Sequence, residues 1–362
     1  MNYKMMGRFI AQILSLEGIF MLPALTISVH LGEHPAIRGF AATIVILLAI
    51  SAALRMLCRG AKSNFYATDG MVCVALSWII LSLTGCLPFV ISREIPRFID
   101  ALFEIVSGFT TTGASILPAV ENLSKGILYW RSFSHWVGGM GVLVFLLAIV
   151  PSGDRGKGFT MHLLRAESPG PSVGKLVPRM RKTAAILYIL YIILTVADIV
   201  FLLLGGMPAF EAVCNAFGTA GTGGFGVRND SFASYSPYLQ NVTTVFMFLF
   251  GVNFSCYYLL LIGQVRSVLK DEELRAYFGI AFVSIALIAW NIRSLYGTLG
   301  ETLRHAAFQV SSIMTTSGFA TTDFDLWPSF SKTILLVLMV IGASAGSTGG
   351  GIKVARVLLL FK

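Results

Sequence analysis

The chain has 362 residues, of which 56% are hydrophobic and only 12% charged, with a mean hydropathy of +0.78. These values exclude an ordinary soluble globular domain and point to an integral membrane protein. The net charge of +9 would suit a nucleic-acid binder, but it is sorted along the chain by position, which is a topology signal.

Crossing a hydrocarbon core of about 30 Å takes about 20 helical residues. The apolar runs predict eight spans, over 8–31, 37–57, 71–92, 126–150, 183–206, 238–262, 275–297 and 332–359. The first is too long for the core of a cleaved signal peptide and is expected to stay as a helix. Lys and Arg favour the cytoplasmic side of short loops. With the N-terminus cytoplasmic, inner segments hold 18 of the 27 basic residues, while outer segments carry 9 basic against 10 acidic residues. Glu17 and Asp198 fall inside spans. The richest inner segment, 151–182, carries Arg155, Lys157, Arg165, Lys175, Arg179, Arg181 and Lys182. Retention on the cytoplasmic side explains it, and a dock for a regulatory ring or anionic lipid is the functional alternative. The five cysteines and five histidines show neither disulfide nor metal spacing. No nucleophile with a base and an orienting partner is found, so an enzyme is not expected.

Between spans lie three Thr/Ser/Gly stretches, SGFTTTGAS at 107–115, GTAGTGGFG at 218–226 and MTTSGFATT at 314–322. Non-helical backbone at membrane depth is tolerated only where it is buried in protein or lines a watery cavity. The stretches recur as copies. From Phe103 and from Phe308 the chain reads FEIVSGFTTTGA and FQVSSIMTTSGF, with a glycine ten residues on, at Gly113 and Gly318. In the middle copy Phe210 precedes its glycine, Gly224, by four residues more; either an extra helical turn is present or Phe210 is not the equivalent residue. The predicted unit is span, short re-entrant helix, loop, span. The chain then divides into an N-terminal hairpin 1–70, units at 71–150, 183–262 and 275–362, and the basic loop 151–182: an all-α integral membrane protein.

A short helix entering from outside returns as extended chain, and glycine permits the positive φ that turns successive carbonyls toward one axis. Rings of carbonyls can replace an ion's hydration shell, and the negative end of the helix favours a cation. Glu104, Glu211 and Glu301 read as acids near helix N-termini. The competing reading is that small residues merely let helices pack closely; it fits Trp136-Val137-Gly138-Gly139-Met140-Gly141 best. A further stretch, GASAGSTGGGIK at 342–353, interrupts the last span. It is no nucleotide loop, because Ile352 separates Gly351 from Lys353. Its glycines are expected to unwind the helix into a plug, a natural gate; a static kink is the alternative.

These motifs, together with LTGCLPFVIS, WVGGMGVLVF, LLRAESPGP and GASAGSTGGGIKVARVLLLFK, resemble the TrkH/TrkG/KtrB superfamily of microbial potassium transporters, most closely its TrkH branch. The resemblance covers essentially the whole chain. It implies a pore for potassium as the transported ion, with no organic cofactor, in a multi-pass protein of the bacterial inner membrane. It also implies homodimerisation and control by a cytoplasmic nucleotide-binding subunit of TrkA type. Carried over, the filter falls on Thr111, Thr112 and Gly113, on Thr222, Gly223 and Gly224, and on Thr316, Ser317 and Gly318. The gating loop falls on Gly342, Gly346, Ser347, Thr348, Gly349, Gly350, Gly351 and Lys353. The family has four repeats; here the third is followed by Lys362, which reads as truncation of a longer protein. The alternative function is a non-conducting membrane scaffold that docks a cytoplasmic partner.

Overall fold

The computed structural model describes residues 2–60, 67–141 and 180–362, and every regular element among them is helical. The basic loop 151–182, all but its last three residues, and the end of the span 126–150 lie outside the described residues. The chain forms two compact units, Met1–Ala185 and Ile186–Lys362.

In the first unit, α1 (Tyr3–Leu31) and α2 (His34–Leu57) form a hairpin. The Asn2 side chain accepts from Met5 N and caps the start of α1; Gly32, at φ 70, ends it. Small residues let the pair approach closely, and hydroxyls fasten it: Ser15 and Ser51 share a hydrogen bond of 2.7 Å, and Ser51 Oγ donates to Ala11 O. Next come α3 (Ala67–Gly85) and α4 (Leu87–Ser92), separated at Cys86, with Pro88 in the first turn of α4 where no donor is lost. Then follow α5 (Phe98–Phe109) and α6 (Lys125–Met140). At 12 residues α5 is about 18 Å long, too short to cross a bilayer.

The second unit contains most of α7 (Met180–Leu204), then α8 (Ala209–Ala220), α9 (Pro237–Phe250), α10 (Phe254–Leu261), α11 (Val265–Leu269), α12 (Glu272–Ile292), α13 (Leu299–Met314), α14 (Ser329–Ile341) and α15 (Val354–Leu360). One buried cluster, with Leu202, Met207, Phe232, Met247, Phe308 and Phe319, holds α8 against its neighbours; another, around Tyr277, Ile288, Val310, Met314 and Leu335, holds α13. The faces left over are apolar: Val283 and Trp290 of α12 are 59% and 74% exposed. Such faces fit a lipid environment, not water.

Among the described residues, five helices are long and apolar enough to span a membrane. The predicted span 238–262 departs from expectation: it stops at Phe250 and restarts at Phe254 after a bend of 87°. The cause is local and distant at once. The Asn253 side chain caps the new start through Ser255 N at 2.9 Å, while Gly251 O accepts from Ser344 N and Phe254 N donates to Gly346 O. Backbone groups freed at the break are thus satisfied by the glycine loop.

Candidate ion-conduction site

The three Thr/Ser/Gly loops share one backbone design. A short helix ends at Phe109, Ala220 or Met314, one capping residue follows, and then comes a threonine in the left-handed region: Thr111 at φ 54, Thr222 at φ 51 and Thr316 at φ 61. Two residues on stands a left-handed glycine, Gly113 at φ 77, Gly224 at φ 75 and Gly318 at φ 83. A β-branched residue resists this conformation, at a cost of order 1–3 kcal/mol, and such strain gathers at functional sites. It is held by the same bond each time: Thr112 N donates to Ser107 O at 2.9 Å, Gly223 N to Gly218 O at 3.0 Å and Ser317 N to Ser312 O at 2.8 Å. Alternating the sign of φ turns successive carbonyls toward one side of the chain.

This common frame decides the register of the middle copy. Helices α5 and α8 both have 12 residues and end at the same point, so no extra turn is present. Phe210 is not the equivalent of Phe103 and Phe308; Cys214 is. One residue further, seven before each left-handed threonine, stand Glu104, Asn215 and Gln309, all buried. The reading of Glu104 as an N-terminal acid is therefore corrected. It lies in the middle of α5 and pairs with Arg131 of α6 at 2.5 Å, and Arg131, counted above with the outer loops, is buried inside α6. Starting the middle copy at Phe210 set Glu211 against Glu104; counting back from the three glycines sets Asn215 there. Glu211 and Glu301 do sit in first turns.

Within the second unit the structure brings two of the candidate segments together. A Cβ at Gly224 would lie 1.9 Å from Ser317 O, so only glycine fits there. Beyond the loops, Phe232 N donates to Ala320 O and Ala320 N to Ser231 Oγ. His305 shares a hydrogen bond of 2.9 Å with Thr321 Oγ1 and stacks on Tyr296, whose hydroxyl accepts from Trp327 Nε1. Burial, and then the neighbouring Arg304 charge, hold the His305 imidazole below its ordinary pKa.

The glycine stretch 342–353 is non-helical between α14 and α15. Its two ends close on each other at Gly342 and Gly351, since a Cβ at Gly342 would meet Gly350 O at 2.3 Å. Ile352 N and Lys353 N bond back to Val340 O and Ile341 O, and Lys353 Nζ donates to Gly349 O. The loop also grips both candidate segments of this unit. Thr222 Oγ1 donates to Thr348 O at 3.0 Å, and Gly350 N donates to Thr316 Oγ1 at 2.7 Å. The Glu273 carboxylate of α12 accepts from Ala345 N at 2.6 Å and Ala355 N at 3.2 Å, holding the loop at both shoulders. Sequence reasoning passed over Glu273, because nothing local marks it among the charges opening α12.

A family model described as TrkH, a cation transport protein, matches residues 36–362. The chain belongs to the TrkH family. This TrkH-family chain is 37% identical to the Trk system potassium uptake protein TrkH of Salmonella typhimurium and 36% identical to that of Escherichia coli K12, in each case over 100% of this chain and 75% of the relative. The crystal structure of the potassium transporter TrkH from Vibrio parahaemolyticus superposes with a TM-score of 0.86 at 31% identity, covering 100% of this chain and 75% of that one. The family is one of membrane cation transporters, not of enzymes.

Proposed function

We propose that the protein takes up potassium across the bacterial cytoplasmic membrane as the pore-forming subunit of a Trk-type system. Thr111–Gly113, Thr222–Gly224 and Thr316–Gly318 supply the carbonyls that replace the ion's water. The stretch 342–353 is the gate. The observation that carries this reading is the left-handed threonine followed two residues later by a left-handed glycine, repeated in all three loops. Packing alone needs no such repeated strain. The names of the relatives supply the ion.

The remainder of the reading follows the family resemblance. The N-terminus is cytoplasmic, the protein works as a homodimer, and a TrkA-type nucleotide-binding subunit controls it from the cytoplasm. The repeat units are those given above, after the hairpin 1–70.

The deciding experiment is potassium uptake in potassium-starved, transport-deficient cells that express the complete gene. The parent should restore uptake, and Gly113→Ser or Gly318→Ser should lose uptake or selectivity. Glycine variants that conduct and select like the parent would overturn the filter assignment; a parent that inserts but never conducts would favour the scaffold.

A further inference from the structure

We propose that the buried Glu104–Arg131 pair is the positioning element of the first candidate filter segment and thereby sets how well that segment discriminates between monovalent cations. The proposal rests on the filter reading above.

Glu104 is fully buried, and the Arg131 side chain is only 4% exposed. A buried ion pair is a poor way to gain stability, because desolvating both charges offsets their attraction. What the carboxylate does with its remaining lone pairs points to its purpose. Oε1 accepts from Ser115 Oγ at 3.0 Å, and Oε2 accepts from Ile116 N at 3.1 Å. Ser115 Oγ in turn accepts from Leu117 N. The chain leaving Gly113 is therefore tied to the helix that delivers it. At the other end, Thr112 N is bonded to Ser107 O. The segment is clamped before and after its carbonyls, with Arg131 fixing the carboxylate that makes the second clamp. Gly138 of α6 completes the seat, since a Cβ there would meet Phe109 O at 2.3 Å.

The same register in the other two segments shows that a charge is not required to fill this position. Asn215 donates to Tyr235 Oη at 3.2 Å, and Gln309 is a buried neutral amide. Neither is a carboxylate, so neither can accept several donors with charge-assisted strength. At this position the first segment has a charged mount where the other two have a neutral amide. Discrimination between ions of similar charge depends on the number and placement of carbonyls, and a stiff mount preserves that placement.

The test is the K+/Na+ permeability ratio of the complete protein in lipid bilayers, taken from reversal potentials under bi-ionic gradients. A ratio does not depend on how much protein inserts. Glu104→Gln, which removes the negative charge held against Arg131, should lower the ratio about tenfold. Ser115→Ala, which keeps the ion pair and removes one tie to the loop, should lower it by less, and Glu104→Asp should restore part of it. Parent ratios in both Glu104→Gln and Ser115→Ala would overturn the proposal; if Glu104→Gln does not accumulate in membranes, Ser115→Ala decides alone. Gly113→Ser is the control for the underlying reading. A shifted ratio in that variant beside parent ratios in the other two removes only the positioning role, whereas a parent ratio in Gly113→Ser removes the filter itself.

Discussion

At Gly224 the backbone conformation and the available space make the same demand. Its φ is 75, and a methyl group would sit 1.9 Å from Ser317 O. Gly318 has the first constraint at φ 83, but nothing lies within 4 Å of a Cβ built there. Gly318→Ala should therefore cost about 1–2 kcal/mol of backbone strain, leaving protein that folds with reduced uptake. Gly224→Ala should displace the segment at 316–318 and abolish uptake. Thermal melting of the purified variants beside uptake rates separates the two; equal melting temperatures would contradict the difference in space. His305 gives a pH effect. Its neutral form is favoured in the folded protein, so it contributes stability above the ordinary imidazole pKa of about 6.5 and loses it as pH falls through that value toward its own lower one. Acidification should loosen the chain around Thr321, and His305→Gln should flatten that pH dependence, as read by hydrogen exchange at 319–322. The glycines of these turns are legible in the sequence because propensity and conformation agree. The left-handed threonines are not, since intrinsic preference argues against a β-branched residue there and only the surrounding bonds override it.

Elements follow the same logic over longer distances. The apolar run 238–262 gives no hint of an 87° break, because the groups that stabilise the break, Ser344 N and Gly346 O, lie about ninety residues away in sequence. The glycine stretch, by contrast, announces itself by composition, and the structure adds that it is knitted to its surroundings through Glu273, Thr222 and Thr316. Glu273→Ala leaves Ala345 N and Ala355 N without their acceptor, at about 1–3 kcal/mol per stranded donor. If the stretch is the proposed gate, it should then open more often, with resting potassium flux raised several-fold at unchanged selectivity, and a cysteine placed at Ser347 should react faster with a small thiol reagent. Unaltered reactivity at that position would show that Glu273 does not restrain the loop.

For the molecule as a whole, the sorting of Lys and Arg along the sequence predicts that the N-terminus and the basic segment 151–182 share one side of the membrane. Single cysteines at Asn2 and at Asn122, in a background without the native ones, should respond oppositely to an impermeant thiol reagent added to intact cells: Asn122→Cys labelled, Asn2→Cys protected. Labelling of both would refute the topology. Fold class was legible at this scale because a bilayer permits few solutions, and the family was legible because its motifs are long. The Arg131–Glu104 pairing was not, since the charge count places both residues with the outer loops. One feature of the second unit reaches further than any of these. The hydroxyls of Thr222 and Thr316, which belong to two of the candidate filter segments, are both engaged by the glycine loop. In the proposed pore, an ion arriving at the inner rim and the closed loop would compete for the same two oxygens. Permeant cation would then act as an antagonist of its own barrier, and the open state should last longer as the potassium concentration at that rim rises.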